Sequence, residues 1–385
     1  MSNFYSFTVK TKIIYGIGAT SQVGIIASEL GAKKAIIITD SGVKKVGLVE
    51  KIQSYLNEQG ISSEMFEDVE ISSSVETVDK GAKIIKQEKY DLIVGIGGGS
   101  AIDTAKAIAV VVTNGGKCVE YAGVNKVKQT PMAVIAIPTT AGTSAEITDV
   151  AVIADRSNNA RIGIRSPYIV PLVAILDPSF TITMPPHITA STGMDALTHA
   201  IESYTNTATD TPTEVLALEA IRKIGKHICH AVANGNNLKA RENMLMGSLL
   251  AGLSFLNTRL GLLHAITGPF CGYYEIPHGV ANSVLLPYVM EYNLMGNLDK
   301  FANIASALGV STAGLSRREA AQCAVNAIRQ LLTDIGLPAS FKNMGLDEKL
   351  IPEISSKAMK SGNIRINPRC PKVEDIIDIC KKSFL

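Results

Sequence analysis

The sequence predicts an α/β domain with a doubly wound, mostly parallel sheet, followed by an all-α domain. Three observations predict it. Through residues 1–180, short and fully apolar segments such as AIIIT (35–39) and LVAIL (172–176) alternate with helical stretches. Apolar strands of this kind belong to a parallel sheet covered by helices on both faces, and right-handed crossovers wind it in both directions. From about Pro186 onward the strand signal does not return and helix follows helix. The chain's 385 residues are enough for two sizeable cores, and a domain boundary falls near residue 180, giving domains 1–180 and 181–385.

In order, residues 7–15 read as extended, 20–30 as a helix and 35–39 as a buried strand. Residues 47–59 form an amphipathic helix that stops at Gly60, and 75–89 a second helix with apolar spacing. A strand at 92–95, a helix at 100–112 and strands at 132–137 and 172–176 complete the first half. The second half reads as helices at 195–204, 213–233, 238–256, 298–308 and 317–335, with a C-terminal pair. No repeat or low-complexity linker separates the halves, so they are expected to pack together with a cleft between them, a usual place for a ligand.

Composition narrows the function. Hydrophobic residues at 46% and charged residues at 19% describe an ordinary globular protein. A net charge of +2, without blocks of Lys or Arg, gives no electrostatic case for nucleic acid or an anionic membrane. The six cysteines are far apart and form no CxxC, as expected of reduced thiols in a cytoplasmic protein. The N-terminus shows no signal-peptide h-region, and no apolar run approaches the ~18 residues of a membrane span.

Four stretches carry chemistry. In DLIVGIGGGSAIDTAK (91–106) a buried strand runs into Gly95, Gly97, Gly98 and Gly99, and a helix opens at Ser100. Glycines admit a ligand close to the backbone, and the free N–H groups of the helix start favour a phosphate. The run departs from GxGxxG and is not the first strand–turn–helix unit, so a turn serving only close packing remains open. Asp40 ends an earlier strand. A carboxylate there can accept hydrogen bonds from an adenosine ribose and repels a 2′-phosphate, favouring NAD over NADP; a helix N-cap is the plainer alternative. The turn PTTAGTSAE (138–146) sets the hydroxyls of Thr139, Thr140, Thr143 and Ser144 just past a strand's carboxyl end, where parallel sheets bind ligands; local capping is the alternative.

In the fourth, STGMDALTHAIESY (191–204), Asp195 and His199 stand four apart, on one helix face. With His264 in GLLHA and His278 in IPHGVAN they offer a divalent cation one carboxylate and three imidazoles. That set suits Fe(II), Zn(II), Mn(II) or Co(II) alike. A lone helical histidine is more often a core or surface residue. His187 reads as a cap-region residue, and His227 and His230 as a solvated face.

At these motifs the chain resembles the iron-containing (group III) alcohol dehydrogenases. GGGSAIDTAK, PTTAGTSAE, the DP at 177–178, PP with GMDALTHAIE, GLLHA and PHGVAN come in that family's order along essentially the whole chain. The resemblance implies a dehydroquinate-synthase-like architecture: an N-terminal dinucleotide-binding α/β domain, a helical C-terminal domain, and a metal, foremost Fe(II), in the cleft. It carries the ligand roles onto Asp195, His199, His264 and His278. It carries NAD contacts onto Asp40, Gly97, Gly98, Ser100, Thr139, Thr140, Thr143 and Ser144. The implied reaction is reversible hydride transfer between NAD(P) and an alcohol/aldehyde pair, in a homodimer or larger homo-oligomer.

The departures concern substrate and proton transfer. A further histidine usual four residues after the GLxHA histidine is Gly268 here, leaving Thr267 or water for the proton. A lysine usual on the nicotinamide side is Arg161, and an asparagine usual near the adenine end is Ser72. Phe255 matches an aromatic that lines the substrate pocket. A cysteine common near the C-terminus aligns with Asn363, while Arg259 and Arg365 stand where small residues are usual. Two arginines could fork onto an anionic substrate tail; surface or interdomain salt bridges are the alternative. Two other readings compete: a dehydroquinate-synthase-like NAD- and metal-dependent cyclase or lyase, and a non-catalytic oligomeric scaffold.

Overall fold

A computed structural model describes residues 4–158 and 160–385. The chain forms two compact units, Val9–Met184 and Pro185–Leu385, the second joined by the N-terminal residues up to Thr8. Among the described residues, no single helix is long and apolar enough to cross a membrane.

In the first unit the strands are β1 (Lys12–Tyr15), β2 (Lys34–Ile38), β3 (Ser62–Phe66), β4 (Leu92–Gly97), β5 (Gly123–Val124), β6 (Val134–Pro138), β7 (Val150–Asp155), β8 (Ala160–Arg165) and β9 (Val173–Leu176). Six build one sheet in the order β1-β9-β6-β4-β2-β3, every pair parallel. The helices are α1 (Val23–Glu29), α2 (Ser41–Lys45), α3 (Leu48–Asn57), α4 (Val75–Glu88) and α5 (Gly99–Asn114). The two-residue period of a strand explains the double winding. Ala35 and Ile37 of β2 pack with Val23, Val49 and Ile52 of α1 and α3, whereas Ile36 and Ile38 pack with Val78, Ile85 and Ile108 of α4 and α5. The chain runs from β2 out to β3 and returns to β4 on the other side of β2. That reversal leaves a crevice at the carboxyl ends of β2 and β4, the usual ligand position in such sheets.

Four strands escape the sequence reading. β3 (SSEMF) is a sheet-edge strand with mostly half-exposed, polar residues, so it lacks the apolar run of its neighbours. β7 and β8 form an antiparallel hairpin that, with β5, makes a separate three-stranded sheet. The helix expected at 20–30 begins with a 3-10 turn at Ala19–Gln22 before α1.

The second unit is all helix: α6 (Pro186–Thr205), α7 (Thr211–Ala233), α8 (Leu238–Thr258), α9 (Leu262–Tyr274), α10 (His278–Asn293), α11 (Leu298–Ala307), α12 (Arg317–Asp334), α13 (Ile351–Ala358) and α14 (Val373–Lys382). Their starts follow local chemistry. Pro186 occupies the first position of α6, where a missing N–H costs nothing. Asp210 and Ser316 accept backbone N–H bonds at the starts of α7 and α12. The sequence reading passes over α9 and α10. Pro269 and Pro287 lie inside them, and glycines at 268, 272 and 279 break the apolar period. Burial of both helices outweighs these local penalties.

Candidate metal centre and nucleotide loop

α6, α9 and α10 bring the four proposed ligands together. Asp195 and His199 lie one turn apart on α6; His264 is the third residue of α9 and His278 the first of α10. Asp195 Oδ1 stands 3.8 Å from His199 Nε2, 4.0 Å from His264 Nε2 and 3.9 Å from His278 Nε2. The tightest subset is Asp195, His199 and His264, whose ligand atoms all lie within 4.8 Å of one another. His278 closes the set on its more exposed side, its side chain 31% accessible against 4% for Asp195.

The surroundings tune these groups. Burial alone would raise the Asp195 carboxyl, but the imidazoles of His199, His278 and His264 and a hydrogen bond from Asn282 outweigh it and hold it below the ordinary carboxylate range. The Nδ1 atoms of His264 and His278 face other groups. His264 Nδ1 donates to Glu202 Oε2 at 2.7 Å, and Cys271 Sγ lies 3.7 Å from His278 Nδ1. Asn282 Nδ2 donates to Asp195 Oδ1 at 2.6 Å, while its own Oδ1 is buried with no partner among the described residues. One carboxylate oxygen facing three Nε2 atoms fits a borderline divalent ion such as Fe(II).

Glu202, Asn282 and Cys271 were not anticipated from sequence. Glu202 had a signal: it follows Asp195 and His199 at i+7 and i+3, on their helix face. Phe255 packs on His199, with ring centroids 4.6 Å apart, so the expected pocket aromatic borders the cluster. Thr267, considered for proton transfer, is buried and its hydroxyl donates to Leu263 O within its own helix, which removes it from that role. A Cβ added at Gly268 would meet no atom within 4 Å, leaving open space one turn after His264. His187, His227 and His230 lie outside the cluster.

Gly279 explains how His278 is seated. A Cβ there would lie 2.2 Å from the backbone oxygen of Ser191 on α6, so α10 starts in direct backbone contact with the ligand-bearing helix. Gly279→Ala is expected to cost about 2–3 kcal/mol by overpacking and to weaken metal retention, read by thermal denaturation and metal analysis.

The nucleotide loop belongs to the α/β unit. Gly98 caps α5 directly after β4, so the helix starts at Gly99, one residue before the position expected from sequence. Gly97 has φ +147°, and an added Cβ would sit 2.7 Å from Ala101 and 3.3 Å from Asp40 Oδ2. Cβ atoms at Gly98 and Gly99 would crowd the side chains of Thr140 and Thr143. Asp40, Gly97, Gly98, Thr140 and Thr143 thus share one crevice at the carboxyl ends of β2, β4 and β6, and Thr139 N donates to Gly97 O at 2.9 Å. Asp40 Oδ1 caps α2 by accepting from Gly42 N and Val43 N. The capping alternative is therefore real, yet Oδ2 still faces the glycine loop. Ser100 Oγ accepts from Ser72 N, and Arg161 donates to Ser72 Oγ. Arg161 and Ser72 are hydrogen-bonded neighbours, not residues at opposite cofactor ends as their separate sequence readings had it.

Glu146 closes the threonine turn and is buried, which pushes its carboxyl up to about 7. Its folded value exceeds the ordinary one of about 4.3, so the fold binds an extra proton between these values and loses stability as pH rises through that window. Glu146→Gln is expected to raise the melting temperature more at pH 8 than at pH 5.

Both halves of the chain match models of one family: "Iron-containing alcohol dehydrogenase" over residues 10–178 and "Fe-containing alcohol dehydrogenase family, C-terminal" over 189–384. The 1,3-propanediol dehydrogenase of Citrobacter freundii is 40% identical, covering 99% of each chain. The NAD-dependent methanol dehydrogenase of Bacillus methanolicus is 38% identical over 100% of each. A crystal structure of 1,3-propanediol oxidoreductase superposes with a TM-score of 0.96 at 40% identity, covering 99% of this chain and 100% of that one. The architecture is the dehydroquinate-synthase-like one of these enzymes. The matches favour the dehydrogenase over the lyase reading, and the family's enzymatic character displaces the scaffold reading. The chain belongs to the iron-containing alcohol dehydrogenase family and is an oxidoreductase of that kind.

Proposed function

We propose that this protein is an NAD- and metal-dependent dehydrogenase that interconverts a small primary alcohol and its aldehyde. The observation that carries it is the Asp195 oxygen facing three imidazole nitrogens at 3.8–4.0 Å. Asp195, His199, His264 and His278 would hold the ion. A divalent metal supplies Lewis acidity toward an alcohol or carbonyl oxygen, and NAD supplies the hydride acceptor. Asp40, Gly97, Gly98, Ser100, Thr139, Thr140, Thr143 and Ser144 would hold the dinucleotide, with the α5 start toward phosphate and Asp40 Oδ2 toward a ribose. Phe255 would exclude water beside His199. The proton leaves through water, since Thr267 is committed to a carbonyl and Gly268 has no side chain to offer.

A substrate with an anionic tail is the form that two arginines favour. Arg259 and Arg365 are exposed, and neither forms an ion pair among the described residues. Arg259 Nη1 lies 3.4 Å from where a Cβ on Gly362 would stand, three residues before Arg365 on the same 3-10 turn. Arg259 ends the helix that carries Phe255. The test is a panel of aldehydes on Fe(II)-loaded enzyme prepared without oxygen, with NADH and NADPH. A higher kcat/KM for an acid-bearing aldehyde than for the plain alkanal of equal length supports the tail. Preference for the plain alkanal removes it and leaves the dehydrogenase reading intact.

A further inference from the structure

Glu202 lies on the ligand-bearing face of α6, where its carboxylate meets the far nitrogen of the His264 ring. Its carboxylate is 4% exposed and receives four hydrogen bonds, one of them a longer bond of 3.4 Å from His264 N–H to Oε2. Gly261 N–H donates to Oε2 at 2.9 Å, Leu263 N–H donates to Oε1 at 2.6 Å, and His264 Nδ1–H donates to Oε2 at 2.7 Å. Three of these donors are backbone groups at the start of α9, which lack intrahelical partners. The fourth is the ring of a ligand. The approach is close: a Cβ on Gly261 would lie 2.8 Å from Glu202 Oε1 and 3.2 Å from Asn367 Oδ1. Asn367 Oδ1 in turn accepts from Leu262 N at 3.1 Å.

We infer that Glu202 is the positioning residue of the metal centre: it fixes the His264 ring in the Nδ1–H tautomer and ties that ring to the start of α9, so that Nε2 presents a lone pair toward Asp195. The inference rests on the metal reading proposed above. Its logic is one of donors and acceptors. A carboxylate is acceptor-only, so both oxygens can receive N–H groups at once. That forces the ring proton onto Nδ1 and leaves Nε2 as the lone-pair nitrogen, the atom 4.0 Å from Asp195 Oδ1. A ligand histidine whose far nitrogen is held by a carboxylate is also the stronger donor. Glu202 has a second effect through the main chain, because the same side chain that orients the ring also holds the helix start from which it projects.

Glutamine has nearly the same shape but cannot reproduce this. If its NH₂ occupies the Oε2 position, it meets Gly261 N–H donor to donor and donates to Nδ1, which moves the ring proton to Nε2. If NH₂ occupies the Oε1 position, it meets Leu263 N–H instead and loosens the helix start. Either arrangement impairs the ligand, whereas a carboxylate that served only to fill space would be replaced by glutamine at little loss.

The test titrates the metal-free full-length chain with Co(II), following the visible ligand-field bands. The wild type is expected to bind one Co(II) per chain. Glu202→Gln is expected to bind roughly 10–100-fold more weakly and to show altered bands, with an unchanged Kd for NADH. Equal Co(II) affinity and an unaltered spectrum in Glu202→Gln overturn the inference while leaving the metal reading standing; a wild type that takes up no Co(II) overturns both. A second measurement is independent of whether the variant folds. Histidine-selective ¹⁵N NMR of the metal-free wild type, with the His264 signal identified by its loss in His264→Ala, is expected to show the Nδ1–H tautomer. An Nε2–H tautomer overturns the inference.

Discussion

Asp195→Ala is expected to abolish stoichiometric metal uptake and to lower kcat/KM by about a thousandfold or more. Asp195 supplies the only carboxylate among the four proposed ligands, and its Oδ1 is the atom that all three Nε2 positions face. Without it, three neutral rings in a buried setting would have to hold a doubly charged ion unaided. Lewis-acid stabilisation is worth several kcal/mol, and each ~1.4 kcal/mol is tenfold in rate. The fold is expected to survive with at most a modest loss of stability in the metal-free chain, because the imidazoles and Asn282 that outweigh the burial of Asp195 lose their partner. Elemental analysis and a melting curve together check this. Lost metal with a melting temperature close to that of metal-free wild type is expected; a collapse in stability would assign Asp195 a structural role instead.

Asp40→Asn is expected to lower kcat/KM for NAD by roughly 10–100-fold and to narrow any preference over NADP. The two oxygens of Asp40 have separate tasks. Oδ1 accepts from Gly42 N and Val43 N at the start of α2, and the Asn side chain can keep that cap. Oδ2 faces the glycine loop, 3.3 Å from where a Cβ on Gly97 would stand. Its charge is what a ribose hydroxyl pair would use, and a hydrogen bond to a charged group contributes ~1.5–3 kcal/mol. Asp40→Ala removes both tasks and should cost a further ~1 kcal/mol of stability through the lost cap. Initial rates with each cofactor and the melting temperatures of the two variants separate the cap from the cofactor contact.

The α/β sheet was legible because its central strands are apolar on both faces, as Ile36 and Ile37 illustrate by packing into opposite layers. β3 was not, since an edge strand with half-exposed SSEMF has no such run. Asp195 and His199 were legible as a pair because four residues make one helical turn. The location of His264 and His278 on helices was not, because Pro269 and Pro287 read locally as breakers while tertiary burial decides the outcome. Glu202 shows a different gap. Its spacing placed it on the right face, but its role depends on α9 arriving with four N–H donors, which is long-range information. Arg161 and Ser72 are 89 positions apart, and only folding makes them neighbours.

The most direct test of metal- and NAD-dependent hydride transfer is the 340 nm absorbance of NADH mixed with a short aldehyde and chelator-stripped enzyme, before and after Fe(II) is restored without oxygen. Expected is no turnover by the stripped enzyme, and after restoration a lasting loss of NADH equal to the alcohol formed. Full turnover by the stripped enzyme, or product formation with no net change in NADH, would contradict it.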